Sequence, residues 1–295
     1  MLDFKFSIII KIISFLFFLL SGIIWKKILI NESKNYHYIF FRVIGTLFFL
    51  SLIKFYFTNN NIDDFNAIIS TPSLYDWVIC IAICLFSFWG LYFYTQALQN
   101  GRISVITPLN GISPFFSFIT SLFLFNEVLS ISKYLSLILI LLGLFLHQRD
   151  KWLDFTISKE VFYTLMFTII WGISFVLFLI PIKVFGVLNF SIILEVCVFA
   201  SCIGLLVYKD KRITPPKVTN QHLWLCLFMG FLVAGGSLLS NFTLTLFPVS
   251  LNILLGLVFE VIALAIGLYF FREKLTKKDW ILIGITTVSS VLLLL

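Results

Sequence analysis

Apolar residues recur along this chain in runs of about 20, the length of a helix that crosses a bilayer, and short polar stretches separate them. Ten such segments can be marked: Phe6 to Trp25, His37 to Phe57, Trp77 to Leu98, Ile103 to Phe125, Ser132 to His147, Val161 to Ile180, Val187 to Tyr208, His222 to Leu246, Pro248 to Phe271 and Asp279 to Leu295. The sixth is expected to stop before Pro181, and Pro215-Pro216 bars helix continuation in the basic loop after the seventh. Lys11 inside the first segment, with no small-residue cleavage site behind it, makes that segment a retained span rather than a signal peptide.

The segments repeat. Asn252 to Glu273 matches Ile106 to Glu127 at a shift of 146 positions, down to the endings Phe271-Arg272-Glu273-Lys274-Leu275 and Phe125-Asn126-Glu127-Val128-Leu129. In that register Gly256 lies opposite Asn110, Glu260 opposite Pro114, Ala263 opposite Ser117 and Gly267 opposite Ser121. Spacings of three and four place these positions on one helix face in each copy. Small and polar stripes of that kind let membrane helices approach closely or line a cavity. Glu260 goes further, because an ionisable group at mid-span is expensive in hydrocarbon and marks a functional site by default.

The charged stretch Gln148 to Lys159 divides the ten segments into two sets of five, residues 1–150 and 151–295. Five is odd, so a direct duplication turns the second set upside down. The expectation is an all-α integral membrane protein of ten transmembrane helices in two inverted five-helix repeats, with its site near the repeat interface at mid-depth.

Composition narrows the class. The 295 residues are 60% hydrophobic and 12% charged, with a mean hydropathy of +1.07, which leaves no room for a soluble domain. Five cysteines lie within apolar segments at no metal-ligand spacing and read as packing residues, and no cofactor or metal is expected. Of the 21 Lys and Arg, 16 fall to the side of loops 1-2, 3-4, 5-6, 7-8 and 9-10, which by the positive-inside rule leaves both termini outside the cytoplasm. The net charge of +7 thus reflects loops at an anionic leaflet and requires no nucleic acid.

The paired helix endings, the run Trp171-Gly172-Ile173-Ser174-Phe175 and Arg42 near the start of the second segment resemble the EamA-type transporters of the drug/metabolite transporter superfamily, over essentially the whole chain. The resemblance implies ten helices in two inverted repeats of five, moving small metabolites, often amino acids, outward. Ser21-Gly22-Ile23 stands where the family usually has Trp-Gly, and Glu260 stands where it commonly has the second-half proline.

No catalytic constellation is present, so no enzyme is expected. The candidates for substrate binding or coupling are Glu260, Asn252, Asn110, Glu195, Trp89, Tyr92, Gln96, Trp171, Ser174, Asn241 and Arg42. Burial would bring the Glu260 carboxyl towards physiological pH and make protons the coupling ion. The amides would bind solute or join helices, and the aromatics would wall the cavity or sit in the core or an interface belt. A shift of 153 pairs Arg42 with Glu195, which either form an ion pair across the axis or leave Glu195 hydrated near the surface. The function expected is a plasma-membrane exporter of small organic metabolites, coupled to protons. The rivals are a passive facilitator or exchanger, a membrane sensor or interaction protein without flux, and a membrane enzyme.

Overall fold

The computed structural model describes residues 4–29, 34–60, 71–101, 106, 109–125, 130–132, 134–136, 138–139, 142–143, 146, 158–211, 218–249, 252–253, 255–256, 262, 266, 269–270 and 276–294. All regular structure among them is helical. Glu260, most of segment nine and the Phe125 to Leu129 and Phe271 to Leu275 endings beyond Phe125 lie outside the described residues.

Helices α1 (Phe4–Leu29), α2 (Asn35–Asn59) and α3 (Leu74–Asn100) follow the first three apolar segments with longer ends. The start of α3 moves back to Leu74 because Ser73 and Asp76 form a reciprocal cap. The Ser73 backbone N–H donates to Asp76 Oδ2 at 2.9 Å and the Asp76 N–H donates to Ser73 Oγ at 3.3 Å.

Segment four departs from expectation. Its helix α4 runs only from Ser113 to Phe125, after a turn at Gly111 and Ile112. Pro114 has no N–H to give to the preceding carbonyls, and the chain tightens into three-residue steps, Ile112 N–H to Leu109 O at 3.1 Å and Phe115 N–H to Ile112 O at 2.9 Å.

The sixth segment is also redrawn. Helix α5 (Lys159–Leu177) is followed directly by α6 (Leu179–Phe185), and Pro181 lies inside α6 rather than beyond the last helical residue. At the third position of a helix the N–H has no intrahelical acceptor, so a proline costs little there. Gly186, at φ 77°, supplies the left-handed step from α6 into α7 (Val187–Leu205). A π-helical turn, Leu206–Asp210, extends α7 and ends at Lys211 with φ 51°. Helices α8 (Asn220–Leu246) and α9 (Lys277–Leu294) complete the described set.

Among the described residues six helical stretches are long and apolar enough to cross a membrane: Lys5–Leu29, Asn35–Asn59, Leu74–Gln99, Lys159–Phe185, Val187–Asp210 and Asn220–Leu246. Along α1, Phe6, Ile9, Leu16 and Leu20 are 46–51% exposed, a flank suited to acyl chains rather than water.

The chain forms two compact units that cut across the sequence halves, one of Met1–Tyr92 with Leu177–Leu246 and the other of Phe93–Val176 with Phe247–Leu295. Each unit therefore takes helices from both halves.

In the first unit, α2 and α7 run antiparallel. Contacts that advance along α2, from Tyr36 and His37 through Arg42 to Lys54, retreat along α7 from Asp210 through Glu195 to Asn189. Beside them α8 runs parallel to α2, with Tyr38 against His222, Gly45 against Leu227 and Phe49 against Phe231. The counterpart pair behaves alike, since α3 runs parallel to α7 and the preceding α6, with Trp77 against Phe185, Cys84 against Cys197 and Tyr92 against Lys209. Helix α3 maps onto α8 at a shift of 146, end to end. The first unit is thus organised about a two-fold exchange of α2 with α7 and α3 with α8.

The second unit packs α5 on α4 and on the end of α3. Phe118 and Val161 are buried with Leu109 and Ile112 in its core. The Tyr94 ring centre lies 5.2 Å from that of Phe167, edge-on, and 5.0 Å from that of Trp171, tilted. Ser117 Oγ donates to the Gly172 carbonyl at 2.7 Å, and a Cβ built on Gly172 would stand 2.6 Å from the Ser113 carbonyl oxygen, so only glycine permits this approach. Ser136 Oγ likewise donates to the Ser289 carbonyl of α9 at 2.7 Å.

Candidate functional site

The one buried charge pair among the described residues sits where α2 crosses α7. Arg42 Nη1 donates to Glu195 Oε1 at 2.8 Å, and the two side chains are 3% and 5% exposed. Ion pair and hydrated surface carboxylate were the two alternatives for Glu195, and burial excludes the second. The residues are 153 apart, the shift that carries α2 onto α7, so each is the repeat-equivalent of the other. A contact between equivalent residues lies on the axis that exchanges the two helices.

What surrounds the pair is small. Cys202 and Cys226 lie within electrostatic range of Arg42. The backbones of α2 and α8 close up beside it, because a Cβ on Gly230 would meet Arg42 O, Gly45 C and Thr46 N each at 2.7 Å. At the equivalent crossing of α3 with α7, Cys84 stands in the place of Gly230 and Cys80 in the place of Cys226, each at a shift of 146. There the Cys84 thiol shares hydrogen bonds with Cys80 and Cys197. All five cysteines are free and buried.

Further polar atoms of the pair have no hydrogen-bond partner among the described residues: Arg42 Nε and Nη2, and Glu195 Oε2. Buried donors and acceptors in this state are uncommon, and each requires a physical reason.

A second polar cluster, which no sequence motif announced, joins the start of α2 to the end of α7. The Asp210 carboxylate accepts from Lys34 Nζ at 2.6 Å and Tyr36 Oη at 2.8 Å, and lies 2.6 Å from His37 Nε2. Lys209 Nζ donates to Tyr92 Oη at 2.7 Å and stands 5.3 Å and 5.0 Å from the ring centres of Tyr36 and Tyr92. The π-helical turn directs two consecutive charged side chains into this cluster. At the other end of the α2–α7 crossing Lys54 Nζ donates to Asn189 Oδ1 at 2.9 Å.

The remaining candidates divide between the units. In the first, Asn241 Nδ2 donates to Ser191 Oγ at 2.9 Å and so joins α8 to α7. Trp89 is 46% exposed with its ring 5.7 Å from that of Tyr92, whose hydroxyl belongs to the Lys209 contact. In the second unit, Asn110 Oδ1 accepts from Thr168 Oγ1 at 3.4 Å beside the break that precedes α4. Trp171 lies against Tyr94, Phe167 and Phe175, and Gln96 is half-buried. Ser174 Oγ and both amide atoms of Asn252 are buried without a hydrogen-bond partner among the described residues. Among the described candidates within one unit, the structure thus brings Arg42 to Glu195 and Trp89 to Tyr92, and Glu260 lies outside the described residues. Among the described residues no three His, Cys, Asp or Glu side chains form a metal-binding group.

Comparison with known proteins follows the repeat. No curated protein matches the chain. A solved structure described as "Crystal structure of protein" is similar in fold, with a TM-score of 0.66 over 98% of this chain and 96% of that chain at 13% identity. The model of the EamA-like transporter family matches twice, over residues 5–147 and 158–295, so the two halves are two copies of one unit. Covered by those two matches over nearly its whole length, this multi-pass membrane chain belongs to the EamA-like transporter family.

Proposed function

We propose that the protein is a secondary transporter that exports small organic metabolites, amino acids among them, across the plasma membrane through two inverted repeats of five spans each. The observation that carries this reading is the antiparallel crossing of α2 with α7, with the repeat-equivalent residues Arg42 and Glu195 in contact at its centre. Equivalent helices that run in opposite directions are what an inverted duplication produces, and inverted repeats supply the two alternative packings that alternating access requires. Family membership supports transport over a sensor or enzyme role.

Coupling is assigned to Glu260, whose mid-span carboxyl has no charged neighbour within eleven positions along its own segment. A carboxyl that binds a proton on the acidic side and releases it on the other couples solute exit to proton entry.

Counterflow in proteoliposomes tests both statements. Purified protein is reconstituted, loaded with a mixture of unlabelled L-amino acids, and offered labelled ones with and without a pH gradient. Uptake above empty vesicles that responds to the gradient is expected, and Glu260→Gln is expected to keep exchange while removing the response. Uptake indifferent to the gradient would make the protein a passive facilitator or exchanger. No uptake of any labelled solute would remove the amino acid assignment.

A further inference from the structure

One carboxylate ties the end of α7 to the start of α2. Asp210 accepts from Lys34 Nζ at 2.6 Å and from Tyr36 Oη at 2.8 Å, and meets His37 Nε2 at 2.6 Å. The neighbouring Lys209 Nζ donates to Tyr92 Oη at 2.7 Å, and Asn35 Nδ2 donates to the Tyr92 carbonyl at 3.4 Å, so α3 is tied to both helices. Tyr92 is also the last residue of the first unit before the chain leaves it.

The duplication provides a comparison for this cluster. Shifts of 153 and 146 carry Lys34, His37 and Tyr92 onto Val187, Phe190 and Leu238, and carry Phe57 onto Asp210. Val187, Phe190, Leu238 and Phe57 all belong to one apolar cluster, in which Phe190 is 0% and Leu238 6% exposed, and Lys54 adds its bond to Asn189 there. The equivalent helix ends therefore close without a charged network, so nothing in the fold demands one at the Asp210 end. The winding differs too. Residues 206–210 form a π-helical turn that stops at Lys211 with φ 51°, whereas their counterparts 53–57 stay α-helical within α2. Wide turns and left-handed residues other than glycine hold a chain off its preferred path, and both collect at functional and switching segments.

The two ends also differ in what opening them requires. Parting the apolar end brings buried hydrocarbon into water. At the charged end the Lys34 side chain is 50% exposed and Lys209 is exposed, so water replaces each bond as it breaks and the net cost of release is small.

We infer that the Asp210 cluster is a releasable electrostatic latch, which shuts one end of the carrier by holding α2, α3 and α7 together and must part for access from that end. The inference rests on the transporter reading and adds a gate to it. Opening at the apolar end owes nothing to these charges.

Cys202 reports on the latch. It is 0% exposed and lies along α7 between Glu195 and the π-helical turn, within electrostatic range of Arg42. The full chain, with its other four cysteines replaced by alanine, is placed in lipid nanodiscs and treated with a charged methanethiosulfonate. Asp210→Asn is expected to speed modification of Cys202 at least tenfold. Asp210→Glu is expected to keep the slow rate, as is Lys54→Gln at the opposite end. An Asp210→Asn rate equal to the natural one, or matched by Lys54→Gln, overturns the latch. A second arm does not depend on how Asp210→Asn folds. In a cysteine-free chain, Lys34→Cys/Asp210→Cys is bridged with a short bismaleimide, and counterflow is expected to fall at least tenfold below that of the same protein treated with N-ethylmaleimide. Counterflow unchanged by bridging overturns the latch and leaves the transporter reading standing. Counterflow absent from the cysteine-free chain with Lys34 and Asp210 in place overturns that reading instead, and Cys202 modification then decides the latch alone.

Discussion

Arg42 and Glu195 bear out at residue scale how severely a membrane interior treats single charges. Arg42→Gln or Glu195→Gln alone leaves an uncompensated buried charge, and is expected to cost about 3–5 kcal/mol, read as a fall in thermal stability in detergent. Arg42→Met/Glu195→Leu together is expected to be near neutral, because a well-packed apolar pair avoids desolvation altogether. A double variant as unstable as either single one would show that the pair contributes more than mutual neutralisation. Both residues were legible in the sequence, since a shift of 153 sets an arginine against a glutamate in two matching apolar segments. Their unpartnered atoms were not, because which edge of a guanidinium is used depends on three-dimensional approach. The Asp210 cluster was equally hidden. Its members come from positions 34–37, 92 and 209–210, and only the wide turn at Leu206–Asp210 brings them together. Tyr92, expected to wall a cavity or to sit in the core or an interface belt, has its hydroxyl in that cluster.

At the scale of the element, glycine decides where helices touch. Gly230→Ala would push a methyl group into the α2 backbone at 2.7 Å, and is expected to cost about 1–3 kcal/mol through forced separation of α2 and α8. Gly204→Ala is the control, since nothing lies within 4 Å of a Cβ there, and is expected to be neutral or to stabilise α7 by up to about 1 kcal/mol. Equal losses in the two variants, measured by thermal unfolding, would mean that the close approach is not the cause. Ser14→Ala and Ser117→Ala each remove one buried interhelical bond to a carbonyl, and are expected to cost about 0.6 kcal/mol. Hydropathy located the long described helices but not the short α6, and two boundaries escaped it. Pro181 reads as a stop, yet it falls in the first turn of α6, where its missing N–H is harmless. Segment four reads as continuous, yet Pro114 and Gly111 break it before α4. A hydropathy window is insensitive to which backbone N–H is absent, and that single atom set both boundaries.

For the whole molecule, the repeat at 146 and 153 positions and the two family matches describe the same duplication. The units cut across it because α2 packs on α7 and α8, and α3 on α6 and the end of α7, so each of these contacts joins the two halves. No periodicity in one dimension reports that exchange, whereas the contacts along α2 and α7 do. The small and polar stripe around Glu260 remains a sequence expectation, to be tested by the proteoliposome experiment. The central claim is that the second half is inverted, and sidedness tests it most directly. Lys34 precedes α2 and the exposed Lys183 lies just before α7, so the two residues introduce equivalent helices. In a cysteine-free background, Lys34→Cys and Lys183→Cys are each exposed to a membrane-impermeant thiol reagent in intact cells. Reaction at 183 with protection at 34 is the expected result, and labelling or protection of both alike would contradict the inverted architecture.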